Sequence, residues 1–190
     1  AGGREWGGGG RATQWRAGGG GVGCVRRACL GDWWATTKRH IAGPEDFPAA
    51  KRDTDDILQI VAGGPFGKWR TLLQAESYAV ANARRRVWIQ TPYYLPSDVL
   101  NTALQTAALA GTDVRLMLAA RSDSKLIDLS SHSYPDDMMR AGVKILFYEQ
   151  GFLHSKLLTA DDARTLTVSA QTDFRSFEHN FESNLFIYTP

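Results

Sequence analysis

Between Gly151 and Asp161 the chain places His154 and Lys156 two residues apart, with Leu153, Ser155 and Leu157 alternating around them. In an extended run, side chains two apart share one face. One imidazole and one ammonium therefore project side by side. Such a pair suits attack on an anionic phosphodiester, because the cation neutralises the charge that repels a nitrogen nucleophile and stabilises the developing phosphorane. Asp161 completes an H-x-K-x-x-x-x-D pattern. Further on, Ser169 and Gln171 again stand at strand spacing. They would bring a hydroxyl and an amide to the His154 face if the two runs pair as a hairpin about Asp161, Asp162, Ala163 and Arg164. A His and a Lys two apart, taken alone, more often form a surface strand pair; the surroundings have to decide.

The elements that must position this pair alternate. Ile57 to Val61 reads as a strand, and after the Gly63-Gly64-Pro65 turn the stretch from Trp69 to Arg85 carries Leu72, Leu73, Tyr78 and Ala79 near helical period. Val87 to Gln90 predicts a short buried strand. Ser97 reads as an N-cap with Asp98 in the first turn, opening a helix through Leu100, Leu104, Ala107 and Ala108 that stops at Gly111. Val114 to Leu118 is strand-like, Pro135 to Arg140 helical up to Gly142, and Val143 to Tyr148 a strand. The hairpin bearing the His–Lys pair follows, and Leu185 to Tyr188 closes the sheet. Alternation of this kind predicts an α/β layer structure, a mixed β-sheet flanked by helices on both faces.

The motif resembles the HKD signature of the phospholipase D superfamily, whose members cleave or transfer phosphodiester bonds through a histidine nucleophile. Where that family places G-S-x-N, this chain has Val168-Ser169-Ala170-Gln171, and Asn180-Phe181-Glu182 resembles its N-F-E. The likeness extends to the second catalytic half of bacterial cardiolipin synthases. It runs through Ile57-Leu58-Gln59-Ile60-Val61, Thr91-Pro92-Tyr93-Tyr94-Leu95-Pro96, Asp113-Val114-Arg115-Leu116, Ser122-Asp123-Ser124-Lys125, Ala141-Gly142-Val143-Lys144-Ile145 and Asp173-Phe174-Arg175-Ser176-Phe177-Glu178. Upstream, Asp32-Trp33-Trp34-Ala35-Thr36-Thr37-Lys38 resembles the D-W-x-x-A-T segment before that half.

The resemblance implies a phospholipase D-like α-β-α sandwich and a site made of His154 as covalent nucleophile, Lys156 as phosphate clamp, Asp161 in support of the local geometry, and Glu182. The glutamate accepts a hydrogen bond from the histidine and so fixes which ring nitrogen attacks. Ser169 and Gln171 are the implied phosphate-binding residues. The implied reaction is phosphatidyl transfer from one phosphatidylglycerol to another through a phosphohistidine, giving cardiolipin and glycerol. The implied partners are the phospholipid, a membrane surface, and a second HKD half or a homodimer mate; the implied location is the cytoplasmic face of the bacterial inner membrane. In the family two motifs face one another, one attacking while the other protonates the departing alkoxide. This chain carries one, and its blocks match a second half, so the first half is expected in a longer enzyme. Val168 and Gln171 depart from the family's phosphate loop, the first filling space that a glycine leaves open and the second extending the amide by a methylene. Low activity is expected of the chain alone.

Composition narrows the field. At 190 residues, 43% hydrophobic and 22% charged, the chain suffices for one cored domain. A formal net charge of +2 announces no nucleic-acid binder, and the Arg84-Arg85-Arg86 run reads as a solvated helix end. Residues 1–23, rich in Gly and Arg, show no period and are expected to be disordered; 24–56 read as a connecting segment and 57–190 as the catalytic domain. The sequence offers no signal-peptide core and no run of ~18 apolar residues. Cys24 and Cys29 have no further Cys partners and read as free thiols. His40, His132, His154 and His179 are scattered without metal-ligand spacing, so the expected site uses no metal or cofactor. Two other function classes remain: a single-motif phosphodiesterase or nuclease acting as a homodimer, and a catalytically weak remnant that binds phospholipid headgroups.

Overall fold

A computed structural model describes residues 19–41, 43, 47, 57–64, 69–95, 97–120, 135–161, 164–168, 172–173 and 182–188. Among these residues the elements are α1 (Gly19–Thr37), β1 (Ile57–Gly63), α2 (Thr71–Ala81), β2 (Arg86–Thr91), β3 (Tyr94–Leu95), α3 (Asp98–Leu109), β4 (Asp113–Ala119), α4 (Pro135–Arg140), β5 (Lys144–Tyr148), β6 (Leu157–Ala160), β7 (Arg164–Val168), β8 (Thr172–Asp173) and β9 (Glu182–Tyr188).

Seven strands form one mixed sheet in the order β1-β9-β7-β6-β2-β4-β5. The β2, β4 and β5 strands run parallel to one another, as the helical crossovers α3 and α4 between them require. The remaining pairs are antiparallel. β9 lies inside the sheet, and β1 pairs along its full length to form the outer edge. The expected site hairpin is present: Leu157 pairs with Thr167 and Ala160 with Arg164.

Burial follows the two periods. Val114, Leu116 and Leu118 alternate inward along β4, as do Val87 and Ile89 along β2. On α2 the buried positions are Leu72, Leu73, Glu76, Ala79 and Val80, one stripe of a 3.6-residue helix. Tyr78, placed on the apolar face by sequence, is instead exposed, and the buried stripe accepts a glutamate. The Ser97 side chain accepts from the Leu100 N–H, capping α3. Gly111 and Gly142 take φ of +93° and +97° just beyond α3 and α4, a backbone state that glycine adopts without steric cost.

Helices cover both faces. Leu72 of α2 packs over Gly63, whose partner Glu182 shares a strand face with Phe186 of the core. α1 meets the opposite face, where Gly21 lies against Leu58, the partner of Ile187. Helix α1 begins at Gly19, so the last residues of the Gly-rich head are helical, whereas residues 1–18 lie outside the described part. Thr36 and Thr37 donate back to the carbonyls of Asp32 and Trp33, and Lys38 closes the helix at φ +58°.

Candidate active site

β6 and β9 run in the same direction on either side of β7, and Leu157, Thr167 and Leu185 form one rung across the three strands. His154 stands three residues before Leu157, and Glu182 three residues before Leu185. The two therefore reach the same end of the sheet. Carboxyl ends of β2, β4 and β5 point to that end as well, where ligands bind in open α/β sheets.

Residues His154 to Lys156 precede the regular part of β6, which starts only at Leu157. Alternation nevertheless holds: Leu153 and Ser155 are buried while His154 is exposed and Lys156 half-buried. Two buried neighbours thus anchor a segment whose intervening side chains face outward. Lys156 Nζ lies 3.2 Å from His154 Nε2 and 3.3 Å from the His154 carbonyl oxygen. An ammonium only donates, so this contact requires Nε2 to accept, with the ring proton on Nδ1. The Phe152 ring stacks on the imidazole, with centroids 5.7 Å apart and 24° between planes. The phenyl ring thus borders the imidazole on one side.

Asp161 does not join this group. It lies at the far end of β6, four strand residues beyond Lys156, at φ +55°. Its carboxylate accepts the backbone N–H groups of Arg84, Arg85 and Arg86 at 2.8–3.2 Å, and its own N–H donates to the Arg86 carbonyl. Partial burial works against ionisation, but the N–H groups of Arg85, Arg84 and Arg86, aided by the Arg85 charge, outweigh it and hold the carboxyl below its ordinary value. The arginine run is therefore more than a solvated helix end, since its backbone clamps the hairpin turn. Arg86 also lies over the Trp88 ring, which Arg115 approaches at 4.9 Å.

The Thr91-Pro92-Tyr93-Tyr94 run emerges from β2 beside the His154 segment. Thr91 Oγ1 donates to the Tyr93 carbonyl at 2.7 Å, and the buried Tyr94 hydroxyl donates to Asn101 Oδ1 at 2.7 Å. β3 then pairs in parallel with β8, Tyr94 with Thr172 and Leu95 with Asp173. This second, two-stranded sheet ties the run to the backbone directly after Gln171. Ser169, Gln171, His132, His179 and the Asn180-Phe181 pair lie outside the described residues. For Val168 only the strand backbone is described, opposite Asn184.

Sequence reasoning missed Phe152 and the pair formed by Glu76 and Asn184. A signal for Glu76 was present, since it occupies the helical position between Leu72, Leu73 and Val80 that an apolar residue ordinarily fills.

An H-x-K pair at the strand ends of a mixed sheet, fed by an antiparallel hairpin, defines a phospholipase D-like domain. Solved structures carry the same fold: Nuc of Salmonella typhimurium, a phospholipase D family member, has a TM-score of 0.56 at 18% identity, covering 71% of this chain and 84% of that one. Phosphatidylserine synthase of Haemophilus influenzae has a TM-score of 0.58 at 17% identity, covering 74% and 37%. Within that fold, the family model described as "Cardiolipin synthase, PLD-like domain" matches residues 78–190, and the chain belongs to this enzyme family. Cardiolipin synthase 2 of Bacillus cereus is 42% identical over 161 residues, 84% of this chain and 31% of that protein. Cardiolipin synthase A of Pseudomonas putida is 35% identical over 175 residues, 92% of this chain and 36% of that protein. The chain spans about a third of the length of the curated relatives it matches.

Proposed function

We propose that this domain supplies the nucleophilic half of a cardiolipin synthase-type phosphatidyl transfer. The observation that carries the proposal is the 3.2 Å contact between Lys156 Nζ and His154 Nε2 at the open end of the sheet. The contact leaves the Nε2 lone pair unprotonated beside a cation. When a phospholipid phosphate arrives, the ammonium transfers its hydrogen bond to a phosphoryl oxygen, and Nε2 attacks phosphorus. The bond to the glycerol oxygen breaks, and the alkoxide takes a proton from the opposed histidine of a first half. The hydroxyl of a second phosphatidylglycerol then attacks the phosphohistidine, its proton passing to the opposed histidine that gave one to the alkoxide; the P–N bond breaks, cardiolipin leaves and the His154 imidazole is restored. Glu182 accepts from Nδ1–H, stabilising the ring as it gains charge. Ser169 and Gln171 are assigned to the phosphoryl oxygens. The proposed setting is the anionic inner-membrane surface; among the described residues no helix is long and apolar enough to cross a membrane.

Incubation with radiolabelled phosphatidylglycerol in mixed micelles, together with a first half, tests this. Cardiolipin should form, and an acid-labile, base-stable phosphoryl label should map to His154 and vanish in His154→Ala. Lys156→Ala should cut turnover about 100-fold or more. A label on another residue removes the assignment. Cleavage of nucleic acid by a dimer of this chain, without lipid transfer, would favour the single-motif phosphodiesterase reading instead, and headgroup binding without turnover the remnant.

A further inference from the structure

Two polar side chains sit in the core directly beneath the site. Glu76 is 3% exposed and Asn184 completely buried, and Asn184 Nδ2 donates to Glu76 Oε1 at 3.1 Å. They come from elements 108 residues apart in sequence, the middle of α2 and the third position of β9. Asn184 stands two residues after Glu182 and so shares its strand face. One helical turn before Glu76, Leu72 rests on Gly63, whose register partner is Glu182. Helix α2 thus touches β9 and its neighbour at two successive points along the strand face that carries Glu182.

From this arrangement we infer that Glu76 is a positioning residue, which through Asn184 fixes the start of β9 and with it the reach of Glu182 toward His154. The inference rests on the role proposed above for Glu182. Asn184 Oδ1 is a buried acceptor with no donor among the described residues. A protonated Glu76 has an O–H to offer it, so the two side chains can close an acid–amide pair with hydrogen bonds in both directions. Burial pushes the Glu76 carboxyl up to about 8, against the opposing hydrogen bond from Asn184, which keeps the neutral acid at physiological pH. Two purely apolar residues would fill the same space without fixing how α2 seats on the start of β9, because apolar contact is not directional. A hydrogen-bonded pair, by contrast, holds one side chain of α2 against one side chain of β9.

The His154 imidazole resonances of the 15N-labelled full chain, followed through a pH titration, report whether Glu182 is in place. Glu182→Gln should move the His154 midpoint down, since a carboxylate favours the imidazolium. Glu76→Leu with Asn184→Leu should keep the thermal midpoint near that of the parent, because both polar partners leave together, yet move the His154 midpoint in the same direction as Glu182→Gln. Glu76→Gln, a neutral isostere that can still donate and accept, should leave it in place. If Glu182→Gln shifts the midpoint and the double leucine variant does not, Glu76 and Asn184 are packing alone and the inference fails while the role of Glu182 stands. No shift in Glu182→Gln overturns both. Should the double variant not fold, Asn184→Ala is read in the same way.

Discussion

At the residue scale, the third letter of the signature binds the chain's own backbone. Asp161 gathers three backbone N–H groups at the α2–β2 connection, much as an N-cap side chain gathers the first donors of a helix. Asp161→Ala should therefore lower stability by about 1–2 kcal/mol, measured by urea denaturation at neutral pH, while leaving the His154–Lys156 pair intact. Its folded-state pKa is depressed, so the stabilisation is present above the ordinary value of 3.8 and is lost as pH falls through the lower folded value. Parent and variant should converge in acid. Glu76 has the opposite sign. Its folded pKa is raised from 4.5 to about 8, so its contribution is complete below 4.5 and disappears as pH rises through 8. Stability of the parent should decline between those values more steeply than that of Glu76→Gln. Parallel curves would mean that Glu76 ionises without penalty in the folded chain.

At the scale of elements, α2 is the part that connects the core to the site. It lies close to the sheet because β1 ends in Gly63: a Cβ there would come within 2.8 Å of Leu72 Cγ, and Leu72 is buried with little room to retreat. Gly63→Ala should lift the first turn of α2 and destabilise the domain by roughly 1–3 kcal/mol, the range for overpacking, with a calorimetric midpoint as the readout. An unchanged midpoint would show that Leu72 repacks freely. The strands of the large sheet were foreseeable from short apolar or alternating runs, and so were α3 and α4 with their stop signals, whereas β3 and β8 were not. Helix α1 was foreseen only as a connecting segment, because its glycines mask any period and its packing on Leu58 is made with a distant strand. Tyr78 was misplaced for a related reason: periodicity reports which residues are apolar, whereas burial is decided by which stripe the sheet covers.

At the scale of the molecule, the His154–Lys156 pair stands at one end of one sheet. In the mechanism proposed above the general acid comes from a first half, and that dominates what to expect. Loss of such a group typically lowers the rate by about 100-fold to 10,000-fold, so the chain alone should be nearly inactive and a first half with its own H-x-K pair should restore turnover. Val168→Gly with Gln171→Asn should add a smaller gain, near the ~100-fold scale of a positioning error of about 1 Å. Cardiolipin formation by the chain alone, unchanged by the partner half, would contradict the two-half mechanism.

Sequence by itself determined the chemistry-bearing pair, because a two-residue spacing and a strand's period of two are both local. It also determined the Ser97 cap, the glycine stops and the class of fold, each a short-range consequence of backbone sterics or of periodic burial. Only the tertiary structure decided who the neighbours are. Asp161 meets a connection 75 to 77 residues away, Glu76 meets Asn184, and β9 slips between β1 and β7 to set Glu182 level with His154. No local period encodes such pairings, because they arise when whole faces are removed from water together and each buried polar group must then find a partner among whatever the sheet order has brought alongside.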